Sequence, residues 1–111
     1  MLTVDFLLDG QPFTAINGGP LFTFDEAVSF LIECADQAEI DYYWSSLCTG
    51  GAPGPCGWLK DRFGLSWQVV PAGFTELMND LDEGRRDRAM QAVMGMGKID
   101  IEALKSAIDP D

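Results

Sequence analysis

The sequence predicts an α+β fold in which a β-hairpin precedes a βαβββ module and a helical tail follows it. Three observations carry this reading. Asp9-Gly10 sits between two short strand-like runs, the strongest local signal for a tight hairpin turn. Residues 27–34 alternate with period two and give way at once to a capped segment of helical period. Beyond Pro71 the pattern turns helical and stays so to the end.

In order, residues 2–8 and 11–16 read as the paired strands of the hairpin. Pro12 has no amide to donate, which suits a strand start or an edge. Asn17-Gly18-Gly19-Pro20 breaks the pattern, and either glycine can take a positive φ. In the strand at 27–34, Phe30, Ile32 and Cys34 share one face, and Ser29, Leu31 and Glu33 share the other. Asp36 is a helix N-cap with Glu39 three residues on, a variant of the capping box. Ile40, Tyr43, Trp44 and Leu47 then form the apolar stripe of a helix packed on a sheet, running to about Leu47.

The Gly- and Pro-rich residues 49–57 form a loop with room for one short strand. A second hairpin joins 57–61 to 65–71, with Gly64 at a left-handed or bulge position. In its last strand Trp67 and Val69 share one face, and Ser66, Gln68 and Val70 the other. The tail divides into a short helix at 75–81, a helix capped by Asp82 with a stripe of Ala89, Met90, Val93 and Met94, and a helix capped by Asp100 bearing Ile101, Leu104 and Ile108. Gly95 or Gly97 stops the second, and its methionines read as adaptable packing against the sheet. The whole is one domain, 1–111: hairpin 1–20, βαβββ module 27–71, helical tail 74–108.

Eighteen acidic residues against seven basic ones give a net charge of −11. Binding to phosphate backbones or anionic membranes needs clustered Lys and Arg, so neither nucleic acid nor membrane is an expected partner. Arg85, Arg86 and Arg88 lie among Asp82, Glu83 and Asp87 and read as a solvated helix face. Residues 1–8 lack the charged flank and long apolar run of a signal peptide, no apolar run reaches membrane-spanning length, and three cysteines form no regular framework. Reduced thiols in a cytoplasmic protein are expected.

The stretches DGQPF (9–13), NGGP (17–20), EAVSF (26–30), DQAEIDYYW (36–44), CGWLKDRFGLSWQVVP (56–71) and KIDIEAL (98–104) resemble the PhnB-like branch of the glyoxalase/bleomycin-resistance (vicinal oxygen chelate) superfamily, a branch often labelled 3-demethylubiquinone 3-methyltransferase. The resemblance implies a curved sheet with a cup on one face and a helix on the other. Family members have two βαβββ modules, and this chain starts at the last two strands of the first. The resemblance therefore implies a homodimer that covers the sheet edges so left exposed.

Metal enzymes of the superfamily place His or Glu ligands on the cup-facing strands. By resemblance those positions fall on Ser29, on Gln68, and at or near Ala15 to Asn17. The chain has no histidine, and Ser and neutral Gln are weak ligands for zinc-type ions. Glu33 is the best remaining carboxylate, but reads better as a partly solvated strand-end residue. No metal and no cofactor are expected. Without histidine, Ser-His and Cys-His nucleophiles within the chain are excluded. Cys56, beside Gly57 in a loop, is a candidate reactive thiol but reads better as a structural cysteine packed at a strand start. Gly50 to Gly54 follows a helix, whereas a methyl-donor or dinucleotide fingerprint follows a strand and opens a helix.

What remains is a small-molecule cup lined by Asn17, Ser29, Leu31, Trp58, Ser66 and Gln68, mixing apolar wall with neutral hydrogen-bonding groups. Trp58 offers a ring for stacking on a flat ligand, although a tryptophan at a strand start is more often core or interface. Trp44 and Trp67 read as helix–sheet core. The leading function is metal-free binding of an unidentified small molecule. The alternatives are a metal-dependent lyase, isomerase or dioxygenase-like enzyme whose ligands a partner completes, and an inactive dimerising module.

Overall fold

The structure is a computed structural model and describes residues 2–110. Its elements run β1 (Thr3–Leu8), β2 (Gln11–Ile16), β3 (Ser29–Cys34), α1 (Gln37–Cys48), β4 (Ala52–Pro53), β5 (Trp58–Lys60), β6 (Ser66–Pro71), α2 (Phe74–Asp80), α3 (Glu83–Met94) and α4 (Ile101–Ile108). The fold is the α+β arrangement expected: hairpin, βαβββ module, helical tail.

β1 and β2 form their own two-stranded sheet, with Phe6 opposite Phe13. The turn works because Asp9 (φ 49°) and Gly10 (φ 77°) both adopt the left-handed conformation that a tight hairpin turn demands. The other four strands lie in the order β3-β6-β5-β4, with β3 parallel to β6 and the remaining pairs antiparallel. β3 begins at Ser29, two residues later than expected, because Asp25 Oδ1 accepts from the Ala27 amide and holds a turn there.

α1 starts where its cap dictates. Asp36 Oδ1 accepts from the Glu39 amide at 3.0 Å, and Glu39 Oε1 accepts from the Ala35 amide at 3.1 Å. Its stripe closes on the sheet: Ile40, Cys34, Leu59 and Val69 are buried, with Ile32, Tyr43, Trp44, Leu47 and Trp67 packed around them. Each fully buried aliphatic side chain here contributes about 1.5–3 kcal/mol. The hairpin meets this layer through a relay of rings, Phe6–Phe13–Phe30–Trp67, with centroids 5.3–5.7 Å apart. Trp67 Nε1 also donates to Asp61 Oδ2 at 2.9 Å, while Asp61 Oδ1 accepts from the Phe63 and Leu65 amides and shapes the β5–β6 turn.

The tail departs from expectation. It does not spread its methionines on the sheet but builds a second core from Met78, Leu81, Ala89, Val93, Ile99, Leu104 and Ile108. α3 turns Ala89 and Val93 inward, leaving Met90 and Met94 exposed. The arginines are not simply solvated either. Arg86 donates to the carbonyls of Met78, Asn79 and Leu81, Arg88 donates to those of Ala107 and Ile108, and Arg85 pairs with Asp109. Helix C-termini leave carbonyls without intrahelical partners and carry partial negative charge, and these guanidinium groups satisfy both needs for α2 and α4.

The tail joins the sheet layer at one seam. The Cys56 and Gly57 amides donate to the Met96 and Gly97 carbonyls at 2.8 Å. Gln37 Nε2 donates to the Ile99 carbonyl at 2.9 Å, and Gln37 Oε1 accepts from the Ile101 amide at 2.8 Å. The Gly57 position favours glycine here, since its φ of 83° strains any L side chain and a Cβ would sit 3.0 Å from the Val69 carbonyl oxygen.

Candidate functional site

The face of the four-stranded sheet opposite α1 is set by strand alternation. Because Phe30, Ile32, Cys34, Leu59, Trp67 and Val69 turn toward the helix side, their neighbours Ser29, Leu31, Glu33, Trp58, Lys60, Ser66 and Gln68 turn the other way. Register brings them into two rows. Ser29 pairs with Ser66, and Ser66 with Lys60; Leu31 pairs with Gln68, and Gln68 with Trp58. Adjacent members of a row are roughly 4.8 Å apart, the spacing of paired strands.

Gln68 Nε2 donates to Ser29 Oγ at 2.9 Å. Two of the three positions that the resemblance aligns with metal ligands are thus bonded to each other. A neutral hydroxyl and a neutral amide so engaged do not fit a zinc-type centre, which needs imidazole, thiolate or carboxylate. Glu33 is exposed at the far end of β3, and no three His, Cys, Asp or Glu side chains among the described residues are grouped to hold an ion.

A hollow of about 280 Å³ opens over β4–β5–β6, with Pro53, Pro55, Trp58, Lys60, Ser66 and Glu26 in its lining. β4 closes on β5 only because residue 51 is glycine: a Cβ there would lie 2.1 Å from the Lys60 carbonyl oxygen. Lys60 Nζ pairs with Glu26 Oε1 at 3.0 Å at the margin. Ser66 is 1% exposed, and its Oγ has no hydrogen-bond partner among the described residues. Leaving a buried hydroxyl unsatisfied costs about 1–3 kcal/mol, so such a group at the wall of a hollow marks a place where a ligand atom is favoured. A second hollow of about 260 Å³, between the end of α1 and the β5–β6 turn, contains none of the expected site residues.

Four expected residues, Ser29, Trp58, Ser66 and Gln68, therefore lie together on adjoining strands, and Leu31 stands beside Gln68 in register with half its surface exposed. Asn17 follows β2 on the hairpin side, its amide donating to the Leu2 carbonyl at 2.8 Å. Lys60 and Glu26 went unnoticed in the sequence. Lys60 was legible, since it alternates with Leu59 and so shares Trp58's face, whereas nothing local ties Glu26 to it.

The thiols stand apart from this face. Cys34 is fully buried, and burial, followed by the nearby carboxylates of Glu39 and Asp36, pushes its thiol up to about 11. Burial also raises that of Cys48. Both are poor nucleophiles at neutral pH. In the described residues no helix is long and apolar enough to cross a membrane.

A family model described as 3-demethylubiquinone-9 3-methyltransferase matches residues 1–70. Among solved structures, a putative 3-demethylubiquinone-9 3-methyltransferase, PhnB protein, from Bacillus cereus is 33% identical with a TM-score of 0.55, over 63% of this chain and 64% of that one. The match thus spans slightly under two thirds of that relative's length. No curated protein matches the chain. With the family model covering more than half of the sequence, and a solved relative that shares its fold, this chain belongs to the PhnB-like 3-demethylubiquinone-9 3-methyltransferase family.

Proposed function

We propose that this protein binds a small molecule on the sheet face opposite α1, in the manner of glyoxalase/bleomycin-resistance proteins, and does so without a catalytic metal. The observation that carries this is a hollow lined by Trp58 and by Ser66, whose hydroxyl has no partner among the described residues, with the bonded pair Ser29 and Gln68 next to them in register. A few polar groups on a partly apolar concave wall is the usual make-up of a ligand site. Family membership supports the same reading. Leu31 and Asn17 complete the proposed lining, with the hairpin at 1–20, the module at 27–71 and the tail at 74–108 acting as one domain in the cytoplasm.

The methyl transfer named in the family label does not carry over. A methyl-donor loop follows a strand and opens a helix, whereas Gly50 and Gly51 follow α1 and lead into β4, with Gly54 just after it.

Two copies assemble as a dimer through the hairpin and the segment after it. Leu7, Ile16, Leu21, Phe22 and Val28 are each more than 60% exposed, a density of apolar surface that marks an interface. The chain's accessible surface is 7706 Å², against about 6,000 Å² for a compact monomer of its mass. The excess is larger than the roughly 800 Å² that each partner buries in a standard interface.

The test is a screen of flat aromatic and antibiotic-like compounds by thermal shift, followed by NMR titration of the hits. Binding should perturb the Trp58 indole signal, and Trp58→Ala should abolish it. If millimolar compounds shift neither melting nor Trp58, the binding reading fails.

A further inference from the structure

We propose that the ligand held over β5 and β6 carries an anionic, carboxylate-like head, and that this head displaces Glu26 from Lys60. The inference rests on the binding reading above and names the chemical class of the ligand.

The row Ser29–Ser66–Lys60 crosses three adjacent strands, and each member can present a hydrogen to the same side. Ser66 lines the hollow, and its Oγ is buried and unpaired among the described residues. Ser29 Oγ accepts from Gln68, which leaves its own hydrogen to donate. Lys60 supplies the positive charge, and it is the only basic residue of β3, β5 and β6. A carboxylate is acceptor-only and takes several donors at once, and bonds between ionised groups are the strong ones.

Glu26 already shows this chemistry. Its carboxylate reaches Lys60 Nζ at 3.0 Å from the loop before β3 and lines the same hollow. In a chain of net charge −11, a carboxylate drawn to this point is held by Lys60 against the field of the whole molecule. Both partners of the pair are about half exposed or more, and an exposed ion pair is held by little, so a ligand carboxylate that also reaches the Ser66 hydroxyl competes well for Lys60. The neighbouring row, Leu31–Gln68–Trp58, offers an apolar and aromatic surface for the rest of the molecule. Glu33, the other acid on this face, lies four residues along β3 from Ser29, roughly 13 Å away, so the head sits at the Ser29 end.

Benzoate and benzamide test this, being matched in shape and different in charge. They are titrated into the wild type, Lys60→Met and Glu26→Gln, with the Trp58 indole and Ser66 amide signals followed by NMR and far-UV circular dichroism confirming that each variant is folded. Wild type should prefer benzoate by about tenfold, the scale of one charge-assisted hydrogen bond. Lys60→Met should remove that preference, weakening benzoate more than benzamide. Glu26→Gln should tighten benzoate several-fold and benzamide less. If both probes move Trp58 with equal affinity in all three proteins, the anionic head is wrong and the binding face stands. If neither probe moves Trp58 in any of them, the binding face fails along with it.

Discussion

Gln37 is the most exacting place to test how the tail is held. Its amide bridges two backbone groups more than sixty positions away, donating to the Ile99 carbonyl and accepting from the Ile101 amide. It also donates to Asp41, whose carboxyl is held below the usual range by Lys98 first and Gln37 second. Gln37→Ala removes one donor and one acceptor at a seam where Ile99 is fully buried. Each orphaned backbone group costs about 1–3 kcal/mol. The part-buried setting admits some water, so the sum is about 2–4 kcal/mol. At roughly 4 °C per kcal/mol for a chain of this size, the melting temperature should fall by about 8–16 °C. Hydrogen exchange should localise the loss, with the Leu104 amide in α4 exchanging faster and the Val69 amide in β6 keeping more of its protection. Gln37→Glu keeps the acceptor for Ile101, loses the donor to Ile99 and faces Asp41, so it should not restore stability. A shift under about 2 °C for Gln37→Ala would refute the argument that this side chain fastens α4 to the module.

Four further outcomes follow from the same geometry. Trp67 touches Phe30 and bonds Asp61, so Trp67→Ala should cost about 3–5 kcal/mol, and Trp44→Ala should do likewise, whereas Gln68→Ala should move the melting temperature by only a few degrees; the opposite order in paired melts would invert the face assignment. Protein prepared without added metal should carry no stoichiometric zinc, nickel, iron or manganese by elemental analysis, and about one ion per chain would overturn the donor-set argument. The Cys34 thiol is raised from an ordinary 9.0 to about 11 on folding, so its contribution to stability is whole below pH 9 and is lost as pH rises toward 11, where only the unfolded thiol ionises; denaturation across that window should steepen for the wild type relative to Cys34→Ala. Light scattering at micromolar concentration should give twice 12.1 kDa, and a stable monomer would count against the interface on the hairpin.

By itself the sequence determined the local features: the Asp9-Gly10 turn, the Asp36, Asp82 and Asp100 caps, and the face on which each strand residue lies. These were legible because they depend on periods of two and 3.6 and on side chains bonding a few positions away. The same alternation placed Ser29 and Gln68 on one face, although only the parallel pairing of β3 with β6 brought them within bonding distance. Tertiary structure alone decided the rest. Arg86 and Arg88 look like surface charges until the carbonyls of α2 and α4 stand in front of them. Met90 and Met94 fit an apolar stripe, yet α3 needs only Ala89 and Val93 to close its core. Glu26 meets Lys60 across 34 residues of chain, and Gln37 reaches Ile99 and Ile101 across 62 and 64. No local pattern encodes such contacts, because what selects them is the packing of whole elements against one another.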